Sequence, residues 1–444
     1  IALASGASQS GFGRTGTVDW QTGSIKTGTF SATNGEGYFV NTAGSTATAN
    51  LPAGSAGAIV AFADYNNKFD VNKFTITPNG SDKIGGENTA VDLTTAGQSV
   101  TLVFVDSTEG WVTVNDSSEN LFTSPFISAT GGTETTSPCG NMKIHTFTGP
   151  GNFVVSCVAS TPANNIVGYM VLAGGGSGGS CCAAGGGGAG GYREGRNVPV
   201  DNFTASPLVA DAPTNAVTVT STTFPITVGA GGASVGPSPS RAGGNRGSNS
   251  IFSTITATGG GGGYGDGCFA SYAPGGSGGG ASHGVCSSGV GAGNTPPVNP
   301  AQGTDGGAFT SPSPSTTDDG GGAGGGAGGA GNPSGPVVGQ GGAGVSSEIT
   351  GSAVTRASGG SAGMRNNPGS QPNVPVPPAP GGGGAGGGSS SYPRPAGQAE
   401  GGAGTANTGG GGGGGARSQP GCSSAWGQGG AGGSGIVVIR YKFQ

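Results

Sequence analysis

The chain is poor in the residue types on which most enzymes and nucleic-acid-binding proteins depend. Charged residues make up 8% of its 444 residues, and it contains two histidines, His145 and His283. So few acid–base groups argue against most general acid–base mechanisms. The net charge of −5 offers no basic face to nucleic acid, and no apolar run approaches the roughly 18 residues that a membrane helix needs. We therefore expect no enzyme activity, no cofactor or metal, no nucleic-acid partner and no membrane span.

Glycine and proline are abundant instead, with 104 and 29 residues. The glycines do not recur at every third position, which excludes a collagen triple helix. Disordered chains usually stay open through a high net charge, which this chain lacks. An excess of glycine without a period is typical of low complexity or of a special fibrous architecture.

The composition changes sharply along the chain. Residues 1–130 contain 16 glycines and a net charge of −6, whereas residues 131–444 contain 88 glycines and a net charge of +1. The run 129–138 has the composition of a linker. We predict an N-terminal connecting or assembly segment, 1–16, a β-sandwich-like assembly domain, 17–130, and a glycine-rich domain with variable loops, 131–444.

The first region has the pattern of short β-strands separated by turns. Its strand-like segments are rich in β-branched and aromatic residues, and dipeptides such as Asn34-Gly35 and Asn79-Gly80 lie between them. No window has a helical stripe. The predicted strands are 28–33, 37–41, 57–62, 73–77, 99–105 and 110–115. This spacing favours a small β-sandwich or a jelly-roll-like fold, and the expected fold class is all-β.

The second region combines a few apolar strands with long glycine tracts. Residues 143–148 and 152–157 are joined by Gly149-Pro150-Gly151, which predicts a hairpin. Further predicted strands are 166–173, 217–228, 251–258 and 435–443. The longest glycine tracts are 185–191, 259–263, 320–331, 381–388 and 409–415. Proline-, serine- and threonine-rich inserts separate the tracts.

Glycine tracts have a high entropic cost of ordering. Fixing one backbone costs roughly 1–2 kcal/mol, and glycine loses the most freedom. The tracts either stay disordered or pack side by side as extended threefold helices of the polyglycine II type, bonded through their backbones. We favour packed helices framed by β-strands, because the tracts are interrupted mainly by alanine and the chain ends in an apolar strand. The tract 320–331 would then span about 37 Å.

Motifs in both regions resemble a known family. The first region contains the segments 13–21, 35–40, 50–54, 102–106 and 110–111, and the second contains the segments 144–153, 171–176, 190–194, 225–231, 247–252 and 435–440. As a set, these resemble structural and tail-fibre-like proteins of marine tailed phages, in which an N-terminal module precedes a glycine-rich module. The design is also similar to phage tail-tip adhesins built on a polyglycine lattice with variable distal loops.

The resemblance implies a location and partners. It implies a virion protein, tail-fibre-like, that attaches the particle to the host surface as a homo-oligomer, with a trimer as the usual state. Its partners would be other virion proteins and a host receptor or glycan. The alternative is a self-assembling extracellular filament or surface adhesin subunit, in which an exposed segment such as 1–16 adds a strand to a neighbour.

The inserts contain most of the side-chain diversity of the second region, and loops on a rigid scaffold suit recognition. We expect several of them to cluster at one end of the domain. The six predicted inserts are 264–272, 282–286, 294–305, 365–380, 389–394 and 417–426. Aromatic residues in such loops suit stacking on sugars or docking to a receptor, although they equally suit capping the lattice edges. The candidate receptor contacts are Tyr264, Phe269, Tyr272, Tyr392 and Trp426.

The seven cysteines leave at least one unpaired within a chain. Cys139 and Cys157 flank the predicted hairpin and could face each other, while Cys268 and Cys286 could close one loop. Some disulfides are expected in an extracellular particle, and small buried thiols are the alternative. Zinc at Cys268, His283 and Cys286 is disfavoured because C-x-x-C spacing is absent. The G-x-S-x-G match at Ser177 is expected by chance in so glycine-rich a chain, and glycine follows it instead of a helix.

Overall fold

The computed structural model of the protein describes most of the chain. The described residues are 18–117, 126–159, 161–180, 183–236, 242–265, 273–282, 289–310, 318–334, 339–366, 376–387, 399–418 and 427–443. They form 26 strands and one short 3-10 turn, Pro162–Asn165. The expected all-β fold is therefore confirmed.

The chain divides into two compact units, Ile1–Thr123 and Ser124–Gln444. This boundary precedes the predicted one between residues 130 and 131. The difference arises because β10 (Ser128–Thr130) pairs with β13 (Gly151–Cys157) in the second unit, where Ala129 is buried in an apolar core. The predicted connecting segment 1–16 lies outside the described residues.

The first unit contains two sheets. The five-stranded sheet has the order β1 (Asp19–Trp20), β3 (Glu36–Val40), β5 (Ile59–Asp64), β8 (Ser99–Asp106) and β9 (Gly110–Ser117). The four-stranded sheet has the order β2 (Thr29–Ser31), β4 (Ala47–Asn50), β6 (Phe74–Thr77) and β7 (Val91–Leu93). The chain alternates between the two sheets from β1 to β6, so that each strand pairs with the strand two places along.

This alternation produces parallel ladders. Strands β1, β3 and β5 run parallel in one sheet, and β2, β4 and β6 run parallel in the other. A jelly roll is built from antiparallel strands, so the topology differs from the jelly-roll alternative although the two-sheet sandwich is present. Antiparallel strands β7, β8 and β9 complete the sheets.

Aromatic side chains fill the space between the two sheets of the first unit. Tyr38 and Phe62 from the five-stranded sheet and Phe74 from the four-stranded sheet are buried in one cluster. The Phe62 and Phe74 rings meet edge to face, with their centroids 5.2 Å apart. Such contacts add to the burial of large apolar surfaces, and this small domain thereby acquires a conventional core.

The second unit is built around a sheet that contains the C-terminal strand. Its order is β11 (Thr133–Thr136), β12 (Met142–Phe147), β26 (Ile436–Lys442), β14 (Ile166–Leu172), β15 (Tyr192–Arg196) and β16 (Val209–Asp211), and β17 (Val217–Thr218) also pairs with β14. Strand β26 lies between β12 and β14 and is buried along most of its length. The last strand therefore closes the framework, as its apolar sequence predicted.

Three further sheets complete the second unit. A five-stranded sheet has the order β10, β13, β18 (Thr223–Thr227), β19 (Ser250–Phe252) and β20 (Ile255–Ala257). A three-stranded sheet has the order β21 (Asp318–Gly320), β24 (Met364–Asn366) and β25 (Arg417–Ser418), and β22 (Val345–Ser347) forms a hairpin with β23 (Val354–Arg356). Residues of the five-stranded sheet and the sheet of β26 share one apolar core, which includes Phe153, Tyr169, Phe252 and Ile439.

Three predicted strand arrangements differ from the structure. The predicted strand 217–228 is divided into β17, which pairs with β14, and β18, which pairs with β13 and β19. Strands β12 and β13 do not form a hairpin, because β12 pairs with β11 and β26 whereas β13 pairs with β10 and β18. The turn Gly149-Pro150-Gly151 instead leads the chain from one sheet to the other, and Phe147 and Phe153 on either side are buried in the shared core. The predicted strand 251–258 is a tight pair, β19 and β20.

Candidate recognition end of the glycine lattice

The glycine tracts of the second unit form a lattice held by backbone hydrogen bonds. In tract 174–180, every third N–H group donates to the same neighbouring tract. The N–H groups of Gly174, Ser177 and Ser180 donate to the carbonyls of Ser248, Asn245 and Ala242 in the first neighbour. Those of Gly175 and Gly178 donate to Gly433 and Gly430 in the second neighbour, and those of Gly176 and Gly179 donate to Gly188 and Gly185 in the third. A helix with three residues per turn directs successive N–H groups about 120° apart. Packing of the polyglycine II type requires this periodicity.

The interior tracts are surrounded on all sides. Tract 184–191 donates to three neighbours, 258–264, 322–325 and 409–415, and accepts from three others, 173–179, 277–280 and 360–363. Six neighbours correspond to hexagonal packing of parallel rods. Burying a peptide group without a partner is costly, and this arrangement satisfies the backbone without any side chain.

Close packing explains why these positions are glycine. A Cβ added at Gly187 would lie 2.2 Å from the carbonyl oxygen of Gly176, and one added at Gly324 would lie 1.9 Å from that of Gly187. Both distances are far shorter than a van der Waals contact. Small side chains are present at a few interior positions, and Ser177, Ala189 and Ala323 are fully buried.

Peripheral tracts follow a different rule from the interior ones. Side chains there recur every third residue and are exposed: Ala230 and Ala233, Asn245 and Ser248, Gln340 and Ala343, and Glu400 and Ala403. A helix with three residues per turn places such residues on one face. The edges of the lattice therefore carry side chains, whereas the interior is almost bare.

One predicted tract is two tracts in the structure. The chain reverses within 320–331, where the N–H of Gly326 donates to the carbonyl of Gly329 and that of Ala323 to the carbonyl of Asn332. Residues 320–327 and 328–334 therefore run antiparallel, and the single span of 320–331 was a wrong prediction. A run of glycines has no side chain that marks a reversal, so the sequence could not place it.

The lattice has two distinguishable ends. At one end, here called the sheet end, the tracts join the strands: Ala173 follows β14, Thr258 follows β20 and Gly191 precedes β15. Hydrogen bonds connect these three tracts to each other. At the far end, Ser180 bonds to Ala242, and Ser282 bonds to Gly265. Further bonded pairs at the far end are Ser334 with Thr310, Ala416 with Ala399, and Gly427 with Ala416.

Five of the six predicted inserts begin at the far end. These are 264–272, 282–286, 365–380, 389–394 and 417–426, and the described residues from which they leave the lattice are Gly265, Ser282, Asn366, Gly387 and Ser418. The sixth insert, 294–305, lies at the sheet end. There the carbonyl of Gln302 accepts from the N–H of Tyr192, and its Oε1 accepts from the N–H of Thr258 at 2.9 Å. This insert therefore lies at the end of the lattice opposite to the one from which the other five inserts leave.

The lattice can be compared with known protein families. A family described as a glycine-rich domain matches residues 148–442, about two thirds of the chain. The chain belongs to this glycine-rich domain family. No curated protein matches the chain.

Of the five candidate receptor contacts in the glycine-rich domain, the described residues include Tyr264. Its side chain is 5% exposed, its N–H donates to Gly280 and its carbonyl accepts from Gly185. The backbone of Tyr264 is therefore part of the lattice. Phe269, Tyr272, Tyr392 and Trp426 lie outside the described residues.

The two described cysteines of the glycine-rich domain are not bonded to each other. Cys139 lies in the turn between β11 and β12, whereas Cys157 ends β13 in the other sheet, and both thiols are free and exposed. Their proposed pairing depended on the hairpin of β12 and β13, which the structure replaces with a crossing between sheets. Cys268 and Cys286 lie outside the described residues.

A cluster of buried charged residues lies against the sheet of β26, and the sequence did not predict it. Arg440 Nε donates to Asp201 Oδ1 at 2.9 Å, and Arg440 Nη1 donates to the carbonyl of Ile349. The Glu194 carboxylate accepts from the Ser206 N–H at 2.9 Å and from the Ser347 hydroxyl. These contacts fasten the loop after β15 and the β22–β23 hairpin to the sheet. The available signal was one charged residue, Arg440, inside the apolar run of β26.

Burial dominates the electrostatics of this cluster. It raises the pKa of Asp201 although Arg440 opposes the shift, and it raises the pKa of the Tyr192 hydroxyl and lowers that of the Arg356 guanidinium. The partly exposed Arg196 and Asp211 pair is different, because the Arg196 hydrogen bond lowers the pKa of Asp211. Buried charges without solvent access suit a structural role.

The described part of the glycine-rich domain presents few groups for other chemistry. Within the described ranges, no three His, Cys, Asp or Glu side chains lie close enough together to hold a metal ion. Ser177 of the G-x-S-x-G match is fully buried, and its hydroxyl accepts from the N–H of Asn245 at 2.8 Å. The residues that the structure describes also include no helix with the length and hydropathy of a membrane span.

Proposed function

We propose that the protein is a non-enzymatic virion component, tail-fibre-like, that attaches the particle to the host cell surface. The observation that carries this proposal is the common starting point of five inserts at the far end of the lattice. The sides of the lattice offer less chemical variety than the inserts do, because the exposed side chains there recur every third residue and most of them are alanine or serine. Loops that leave one end of a rigid scaffold lose less entropy on binding than free peptides do.

The lattice supplies the stiffness that such a role needs. We infer that its tracts are polyglycine II-type helices, because their hydrogen-bond partners repeat every third residue. Interior tracts with six neighbours resist bending, since any displacement breaks bonds to several tracts at once.

The proposed partners follow from the resemblance to phage tail-fibre-like proteins. The first unit would assemble the protein into a homo-oligomer, a trimer, and connect it to other virion proteins. The far end would contact a host receptor or surface glycan. The location would be the extracellular particle.

Loop replacement tests the role of the far end. Residues 367–375 and 388–398 are replaced by glycine–serine segments of equal length, and particles that carry the variant protein are tested for adsorption to the host. We expect adsorption to slow at least tenfold while the thermal stability of the protein is unchanged. The matched control is Pro297→Ser, an exposed position in the loop at the sheet end, which should leave adsorption unaltered.

Two results would contradict the proposal. Normal adsorption of both loop variants would show that the inserts are spacers. Immunogold electron microscopy that finds the protein in free polymers, without capsid-bearing particles, would favour the extracellular filament or adhesin subunit instead.

A further inference from the structure

His145 occupies a fully buried position where the sheet of β26 meets the five-stranded sheet of β10 and β13. Its Nδ1 lies 2.7 Å from the carbonyl oxygen of Gly131, and its Nε2 lies 3.2 Å from the Tyr441 hydroxyl. Because a carbonyl can only accept, Nδ1 carries the proton when the ring is neutral, and Nε2 is then an acceptor. Gly131 is the residue at which the chain leaves β10 of one sheet for β11 of the other.

The Tyr441 hydroxyl has two acceptors within reach. One is His145 Nε2, and the other is the carbonyl oxygen of Ala129 in β10, at 3.4 Å. A hydroxyl has a single proton to donate. When His145 gains a proton, its Nε2 becomes a donor and the Tyr441 oxygen accepts from it. The hydroxyl proton of Tyr441 must then point to the other acceptor, the carbonyl oxygen of Ala129.

We propose that His145 and Tyr441 form a proton-dependent switch between the two sheets. At neutral pH the Tyr441 hydroxyl donates to His145 Nε2, within the sheet of β12 and β26. When the imidazole is protonated, Nε2 donates to Tyr441, whose hydroxyl then donates to Ala129. Acid thereby creates a hydrogen bond from the C-terminal strand to the other sheet, and no buried polar group is left without a partner.

The charged and titratable groups around the ring permit both states. Glu134 on β11 lies directly opposite His145, and its Oε1 is 3.9 Å from Nδ1, which favours the protonated form. Lys143 on the same strand as His145 opposes that form and pairs with Glu134 at 3.4 Å. Strand β13 contributes the uncharged ring of Phe153, and Tyr441 on β26 stacks on the imidazole. Burial lowers the pKa of His145 overall and raises that of Tyr441 to about 12.

Nuclear magnetic resonance of the full chain tests the switch. The chain has two histidines, so His283→Gln identifies the His145 signals. We expect nitrogen shifts that place the neutral proton on Nδ1, and an Ala129 carbonyl carbon that shifts together with the titration of His145. In Tyr441→Phe, the Ala129 shift should disappear. His145 should also bind its proton about tenfold more weakly, because a buried charged donor loses more than a neutral acceptor does.

A second tyrosine provides the matched control. Tyr169 is also buried in the shared core, and its hydroxyl donates to the carbonyl of Asn215 at 2.9 Å, so Tyr169→Phe should leave the titration of His145 unchanged. The proposal is overturned by an Ala129 carbonyl that moves equally in Tyr441→Phe, by a neutral proton on Nε2, or by a His145 ring that stays neutral until the protein unfolds in acid. A calorimetric scan of each variant at neutral pH confirms that it is folded.

Discussion

A single methyl group placed at the centre of the lattice should destabilise the protein far more than one placed at its edge. Gly187 lies in the interior tract, where its N–H donates to Gly412 at 2.8 Å and its carbonyl accepts from Gly360 at 2.9 Å. In Gly187→Ala, the new Cβ would lie 2.2 Å from the carbonyl oxygen of Gly176. An ordinary contact needs roughly 1 Å more, so tract 174–180 must move away.

The cost follows from the bonds that such a movement breaks. The Gly176 N–H donates to Gly188, and its carbonyl accepts from Gly412. Stretching both by about 1 Å leaves buried groups without partners, at about 1–3 kcal/mol each. We expect Gly187→Ala to lower the free energy of unfolding by about 4 kcal/mol. At a few degrees per kcal/mol, the melting temperature should fall by about 10 °C.

The matched control is Gly329→Ala, at the reversal between two tracts. There the nearest atom to a new Cβ is the Ala343 nitrogen at 3.7 Å, and the backbone φ is not positive. Removing glycine freedom from the unfolded chain should stabilise this variant by up to about 1 kcal/mol. Differential scanning calorimetry of the full chain compares the two. If Gly187→Ala and Gly329→Ala melt alike, the tracts separate at no cost and the close-packed lattice is refuted.

Three other predictions address the sheets and the assembly. Arg440→Leu leaves the buried Asp201 unpaired, and it should lower the free energy of unfolding in urea by about 3–5 kcal/mol. The control Arg196→Leu, beside the partly exposed Asp211, should lower it by about 1 kcal/mol or less. Equal losses would contradict the assignment of the buried cluster. Because the pKa of His145 is lowered in the folded state, the unfolded chain binds the proton more readily, so stability should be full above about pH 6.5 and fall as the pH drops below it. His145→Gln should flatten that slope, and an unchanged slope would assign it to other groups. Light scattering should give three times the mass of one chain, and a stable monomer at micromolar concentration would contradict the proposed trimer.

The amino-acid sequence determined the fold class and the location of the main strands. Alternation of β-branched and aromatic residues placed β3, β5, β6 and β8 nearly where the structure has them. The apolar segment 435–443 predicted a closing strand, and the structure places β26 of this segment between β12 and β14. The glycine tracts favoured a backbone lattice over a disordered chain, because they are interrupted mainly by alanine and bracketed by predicted strands. These features depend on local composition, which the sequence displays directly.

Pairing between elements was decided by the tertiary structure. The sequence predicted a hairpin of β12 and β13, but Phe147 and Phe153 pack in a shared core when the two strands lie in different sheets. It also left open whether Tyr264 contacts a receptor or caps the lattice, and the structure buries its side chain. The parallel ladders of the first unit could not be predicted from the individual strands, because the residue pattern of a short strand does not depend on which neighbour it pairs with.

In the glycine lattice, the pairing of elements depends least on the sequence of the elements themselves. One glycine tract offers the same N–H and C=O groups as any other, so no residue specifies which tracts become neighbours or where 320–331 reverses. The choice is made by the strands that fix one end of the tracts, such as β14, β15 and β20, and by the length of chain between them. The sequence therefore favoured tracts that bond to each other, and the three-dimensional framework determined which tracts are bonded.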